Sequence, residues 1–175
     1  MEEVEVKILE VDPKQVTAAL AKMGAEKVFD SDVATLFLDT KDGLIHKRRD
    51  VLRLRKEEDR TELTYKEVKI GKDAKTAQEH TVEVSNIEIA IEILQKVGLN
   101  VTQKMNKHRV SYKTDDARFD IDTYKDEFSF IPPFMEIEAS VDVIEKYAKQ
   151  LGYQKKECLP WSTDELIAHY QSKKA

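Results

Sequence analysis

The chain has 175 residues, enough for a single domain over residues 1–175 with a core of its own. Charged residues make up 36% and nearly balance, 29 basic against 34 acidic, so the formal net charge of −5 excludes a nucleic-acid binder working by bulk attraction. The single Cys158 excludes an internal disulfide or a thiolate metal cluster, and no apolar run is long enough to span a membrane, which together predict a soluble, cytoplasmic protein.

At the start of the chain, Val4, Val6 and Ile8 alternate with Glu3, Glu5 and Lys7. Alternate residues of a strand point to opposite faces, so one face is apolar and the other carries two acids and a base. That charged face is either solvated or a holder of divalent cation. Asp12-Pro13, followed by Val16, Leu20 and Met23, predicts an N-capped amphipathic helix ending at Gly24. Residues 28–39 read as a strand, and Thr40-Lys41-Asp42-Gly43 as a turn. In the next strand Leu52 and Leu54 share one face while Arg53 and Arg55 share the other, and the strand from Thr61 to Ile70 adds Lys66 in the same period. Lys69, Lys72 and Lys75 around Gly71 predict a solvated hairpin loop.

Glu79, Thr81 and Glu83 then alternate with His80, Val82 and Val84 and lead into a helix over 87–97 that ends at Gly98. The first segment led into a helix ending at Gly24 in the same way, which points to a diverged internal repeat of strand, helix and strands. Lys107 and Arg109 alternate with His108 and Val110, Asp120 and Asp122 with Phe119 and Ile121, and Glu136 and Glu138 with Met135 and Ile137. A helix capped by Ser140 follows, and Ser162 with Glu165 predicts a capping box opening the last helix. His46, His80, His108 and His169 share no metal-ligand spacing; Cys158 reads as a small apolar residue and Trp161 as a packing anchor.

About eight strands joined mostly by short turns is the number that closes into a barrel able to hold one small ligand. The amphipathic helices need apolar surface to cover, and the faces holding Val4, Leu52, Tyr65, Val82, Ile121 and Ile137 supply it. The charges are sorted, with paired acids on the first and last strands and paired bases on the middle ones. Turned inward, they make a tunnel with a carboxylate wall and a basic wall, suited to a hard cation and a phosphate chain. The same alternation also occurs on half-exposed sheets, with the charges in water.

Six stretches occur in an order that resembles the CYTH domain family, the triphosphate tunnel metalloenzymes. They are Glu3-Val-Glu-Val-Lys7; Phe37-Leu-Asp-Thr40 with Leu52-Arg-Leu-Arg55; Leu63-Thr-Tyr-Lys66; Lys107-His-Arg109; Ile121-Asp122; and Phe134-Met-Glu-Ile-Glu138. The resemblance implies an α+β fold, an eight-stranded antiparallel barrel with a charged interior flanked by amphipathic helices. It implies binding of Mg²⁺ or Mn²⁺ and of a small-molecule triphosphate; the charge balance and the lack of a long apolar run predict no nucleic-acid or membrane partner, and exposed strand or helix surface is able to support a homodimer. By the same resemblance Glu3, Glu5, Asp122, Glu136 and Glu138 are the metal ligands. Lys7, Arg53, Arg55, Lys66, Lys107 and Arg109 form the phosphate cradle, and Glu136, Glu138 and Lys66 take part in catalysis. The implied activity is hydrolysis of tripolyphosphate or of an organic triphosphate such as thiamine triphosphate. An adenylyl cyclase and a non-catalytic polyphosphate-binding or nucleotide-binding module are the alternatives. Three features depart from the family's usual pattern: Ala77-Gln78, where a basic residue is common; Thr81, where an inward acid is; and a longer stretch from Lys125 to Ile131.

Overall fold

The computed structural model describes residues 2–70 and 75–174, with the side chains of all of these except 2, 3, 69, 70, 75 and 76. The described residues form strands β1 (Glu2–Ile8), β2 (Glu26–Thr40), β3 (Val51–Glu57), β4 (Arg60–Ile70), β5 (Lys75–Glu83), β6 (Leu99–Lys113), β7 (Arg118–Tyr124) and β8 (Phe134–Glu138). Helices α1 (Pro13–Lys22), α2 (Leu44–Lys47), α3 (Ile87–Lys96), α4 (Val141–Gln150) and α5 (Thr163–Ser172) lie between and after them. Every strand pair is antiparallel, and the order β1-β5-β4-β3-β2-β6-β7-β8 closes on itself because β8 pairs with β1. The expected closed antiparallel barrel is the observed fold.

The ring is not a simple meander. β2-β3-β4 and β6-β7-β8 are two meanders, and the strand that begins each half is donated to the other: β1 pairs with β8, and β5 with β4. Exchanging every strand for the one four places on in the chain leaves this pairing pattern unchanged, and the seams β1·β5 and β2·β6 map onto themselves. The repeat read from the sequence is therefore a two-fold symmetry of the topology. Each half also carries its helix at the same point, α1 between β1 and β2 and α3 between β5 and β6.

Helix caps follow local chemistry. The Asp12 carboxylate accepts from the backbone N–H of Lys14 at 2.9 Å and Gln15 at 3.2 Å, with Pro13 at the first helical position, where a missing N–H costs nothing. Asn86 accepts from the N–H of Ile89 at 2.8 Å. Ser162 and Glu165 close a reciprocal capping box on α5. Ser140 stands at the N-cap of α4 as expected, yet its side chain makes no capping bond. The turn after β2 continues into α2, a single helical turn that apolar periodicity is too short to reveal. Residues 125–131 hold a 3-10 turn, Asp126–Phe128, whose Phe128 and the following Ile131 are buried. The Lys72 and Gly71 of the expected hairpin loop lie outside the described residues, as do the side chains of Lys69 and Lys75.

Apolar packing sits mostly outside the barrel, and this turns the charges inward. Val6, Ile8, Phe119, Ile121, Met135 and Ile137 face outward from β1, β7 and β8 and bury themselves against α1 and α4. A second layer joins Leu38, Leu52 and Leu54 to α3. A third cluster is different, because α5 brings Leu166, Ile167 and Tyr170 onto Met105 and Tyr124, which line the cavity inside the barrel. One end of the barrel is thus stopped by a helix. Burial of such side chains contributes roughly 1.5–3 kcal/mol each, enough for these clusters to fix which face of each strand points inward.

Candidate functional site

A cavity of about 810 Å³ occupies the barrel interior. Glu5, Lys7, Arg53, Arg55, Lys66, Lys107, Arg109, Glu136 and Glu138 all line it, so the structure brings together nine of the eleven residues singled out from the sequence. Asp122 lies behind the wall, and the Glu3 side chain is outside the described residues. Register explains the convergence. Glu5 is the cross-strand partner of Glu138 and Lys7 of Glu136, so the acids of β1 and β8 meet at one seam.

The best-buried part of the site is built on Arg109. Its Nε and one terminal nitrogen donate to the two oxygens of Asp122 at 2.7 and 2.6 Å, the other terminal nitrogen donates to Asp120 at 2.5 Å, and Glu136 accepts at 2.7 Å. Lys107 donates to the same Asp122 carboxylate at 2.6 Å, and Lys7 contacts Glu136 at 2.7 Å and Glu5 at 3.1 Å. Lys7 is only 2% exposed and Asp122 not exposed at all. Ions so deep are tolerable only when paired, because an uncompensated one costs several kcal/mol in desolvation.

These pairings set the protonation states. Burial alone would raise the Glu136 carboxyl, but the charges of Lys7, Arg109 and Lys107 outweigh it and hold the group well below the usual carboxylate range. Burial alone would likewise lower Lys7, and Glu136 and Glu5 reverse the effect, so its ammonium is raised. Lys107 goes the other way: burial and the neighbouring Arg109 charge lower it despite Asp122 and Glu136. The Tyr124 hydroxyl, raised first by burial and then by Asp122 and Glu136, stays neutral beside them. The interior therefore presents Lys7 and Arg109 as fixed cations and Glu136 as a fixed carboxylate at neutral pH.

The opposite wall comes from β3, β4 and β5. Arg55 contacts Glu57 at 3.2 Å and Glu62 at 3.4 Å, Arg60 contacts Glu62 at 2.7 Å, and Lys66 is paired with Glu79. Thr81, at the position where an inward acid was expected, instead shares a 3.1 Å hydroxyl contact with the buried Thr64. Ala77, where a basic residue is common in the family, is buried and pairs with Glu3 in the β1·β5 register. At the mouth, Asp39 accepts backbone N–H bonds from Thr40, Ile45 and His46 and so fixes α2 against the cavity rim.

Sequence reasoning missed Asp120, Arg118, Glu57, Glu62 and Glu79 as cavity residues. For Asp120 and Arg118 a signal existed, since both share the period of Asp122. Glu62 likewise shares a face with Lys66 by alternation along β4, whereas Glu79 meets Lys66 from β5 through the β4·β5 register, which no local pattern marks. His108 bridges Asp30 and Asp32 on the outer surface at 3.1 Å each, and at the cavity rim His46 approaches Asp164 at 3.5 Å. Trp161 packs on His169 with ring centres 4.9 Å apart, and Cys158 packs at the edge of the outer core.

Glu5, Glu136 and Glu138 offer carboxylate oxygens on adjacent strands at the cavity wall, a donor set that fits a hard divalent cation. Among the described residues no three His, Cys, Asp or Glu side chains already converge as a metal-binding group. Glu136 is instead engaged by Lys7 and Arg109. Asp122 has both oxygens occupied by Arg109 and Lys107 and stands outside the cavity lining.

Comparison with known proteins agrees with this architecture. Residues 1–159 match the model of the CYTH domain. A Methanocaldococcus jannaschii protein, provisionally named an adenylate cyclase, is 30% identical over 154 residues, covering 86% of this chain and 84% of its own. The solved structure of the PH1012 protein from Pyrococcus horikoshii OT3 superposes with a TM-score of 0.79 at 24% identity, over 94% of this chain and 99% of that one. A Hippeastrum protein first named an adenylyl cyclase, and described as having a dominant triphosphatase activity, superposes with a TM-score of 0.69 at 16% identity, over 95% of both chains. No described helix is long and apolar enough to cross a membrane.

Proposed function

Because this chain belongs to the CYTH domain family, we propose that it is a divalent-metal-dependent triphosphatase that binds a linear triphosphate, inorganic or organic, inside the barrel. The observation that carries this reading is the closed ring of inward-facing Lys7, Arg53, Arg55, Lys66, Lys107 and Arg109 around one cavity, opposed by Glu5, Glu136 and Glu138. A phosphate chain is the ligand whose charge such a ring complements.

Glu3, Glu5, Glu136 and Glu138 would hold Mg²⁺ or Mn²⁺. When bound, the cation neutralises phosphate oxygens and lowers the charge against which water must attack. The chain's own residues do the rest. Lys7, Lys66, Lys107 and the three arginines hold the non-bridging oxygens, Arg by its planar fork and Lys as a point charge. Glu136 stays ionised because of the surrounding cations, so it serves as an acceptor for the attacking water rather than as an acid. The water oxygen bonds to the terminal phosphorus as the bridging P–O bond breaks. The charge developing on the departing oxygen is met by donors already aimed into the cavity, which need no reorganisation. Asp122 we assign as a positioning residue for Arg109 and Lys107 rather than as a metal ligand, since its oxygens are already committed.

A second reading, cyclisation of ATP in the same cradle, is favoured by the name of the 30% identical relative. One panel separates the two: tripolyphosphate, thiamine triphosphate and ATP, each with Mg²⁺ or Mn²⁺, followed for phosphate, pyrophosphate and cyclic AMP. Phosphate release that Glu136→Gln abolishes in a folded protein is the expected result. Cyclic AMP with pyrophosphate would replace the first reading by the second, and binding without turnover of any substrate would refute both.

A further inference from the structure

The helix pair that relates the two halves of the barrel is unequal in one respect. α1 buries Val16 and Leu20, whereas α3 has no buried residue, although its sequence is the more apolar of the two. Its inner side, Ile87, Ala90, Ile91 and Leu94, reaches only partial burial against the barrel. Its outer side carries Ile89 at 56%, Ile93 at 57% and Val97 at 70% exposure. Spaced four residues apart, these three advance by only about 40° each and make one apolar stripe along the helix. Val82, 59% exposed, stands on the strand that leads into the same helix, and Val101, 38% exposed, on the strand that leaves it. Five exposed apolar side chains gathered around one helix make a patch of the kind that marks an interaction site.

The charges beside the stripe indicate what covers it. Glu88, Glu92 and Lys96 line one flank, again four residues apart, so the flank is acidic at the start of the helix and basic at its end. We propose that α3 is the seam of a symmetric dimer in which two copies of this helix pack antiparallel about Ile93. With a rise of about 1.5 Å per residue, a two-fold axis at Ile93 sets Ile89 opposite the partner's Val97. It brings Lys96 of each copy within about 3 Å, along the axis, of Glu88 and Glu92 of the other. A parallel two-fold pairing would place the two charged flanks on opposite sides of the seam, so only the antiparallel one sets the flank against its own reverse. The flank matches its own reverse, so a second copy of this chain is the complementary surface, and the acidic residues disfavour an anionic lipid surface. The present Glu92–Lys96 contact, 3.5 Å between well-exposed side chains, is weak enough to be exchanged for an intermolecular one. Two helices of about 15 Å supply the centre, and the outward strand residues around Val82 and Val101 extend it toward the ~800 Å² per partner of a stable dimer.

Sedimentation velocity over about a hundredfold range of concentration tests the proposal. The unaltered chain is expected to sediment as a dimer, and Ile93→Glu to weaken association at least ~10-fold while circular dichroism stays native. Lys96→Glu is expected to weaken it too, and mixing that variant with Glu88→Lys/Glu92→Lys to restore pairing between the two. A chain that stays monomeric throughout, a dimer indifferent to Ile93→Glu and Ile89→Glu, or a charge-exchanged mixture that fails to pair would each overturn it.

Discussion

Asp122 shows what the side chain at one position does to its neighbours. It is fully buried, it takes a forked pair of hydrogen bonds from Arg109 and a third from Lys107, and it reaches no part of the cavity. Its part in the proposed site is therefore indirect: it fixes Arg109 and Lys107, two cations of the proposed phosphate cradle. Asp122→Asn keeps the shape and removes the charge, leaving Arg109 paired with Asp120 and Glu136 but Lys107 less well compensated. We expect a loss of ~3 kcal/mol in urea unfolding, the low end for breaking a buried pair. We also expect kcat/KM to fall about 10²-fold, mainly through KM. A metal ligand would instead shift the concentration of Mg²⁺ needed for half-maximal activity. The alternation of Asp120 and Asp122 with Phe119 and Ile121 was legible in the sequence. Which of the two would meet the cavity was not, because that depends on the β6·β7 register, which pairs Arg109 with Asp122.

At the scale of single elements, the parts with local chemistry were readable and the parts with tertiary causes were not. The α5 capping box is written in Ser162 and Glu165, and the structure has it at 3.2 Å for Glu165 N–H to the Ser162 hydroxyl and 2.7 Å for the reverse bond. Ser162→Ala is expected to cost about 1 kcal/mol of stability, measured by chemical unfolding. The single turn of α2, by contrast, depends on a carboxylate from the preceding strand. Burial alone would raise the Asp39 carboxyl, and the N–H groups of His46, Ile45 and Thr40 outweigh burial and hold it below the ordinary carboxylate range. A lowered folded-state value means that the carboxylate stabilises α2 at all pH above the unfolded value of about 3.9 and that this is lost as pH falls through the lower folded value. Protection of the Ile45 and His46 amides from hydrogen exchange, taken relative to the intrinsic rate at each pH, should therefore fall in acid. In Asp39→Asn the loss of protection should already be present at neutral pH. Protection that ignores both changes would show that α2 is held by packing alone.

For the whole molecule, the governing fact is that a barrel closed by exchange of its first strands turns every charged strand face toward one space. Each half donates its opening strand to the other's meander, so Glu5 and Lys7 from the beginning of the chain meet Glu136 and Glu138 from near residue 138. Alternation along each strand announced two faces but not which was inside. The apolar helices decided that by covering the outer faces, and the two-fold topology then set carboxylates and cations opposite one another. If this interior binds a metal-bound triphosphate chain through its arginines and lysines, calorimetric titration of tripolyphosphate with Mg²⁺ reads that binding. Saturable binding at one site per chain, weakened at least ~10-fold in Arg53→Ala/Arg55→Ala of unchanged melting temperature, is the predicted result. Binding of equal strength in the two proteins, or none in the unaltered one, would contradict it.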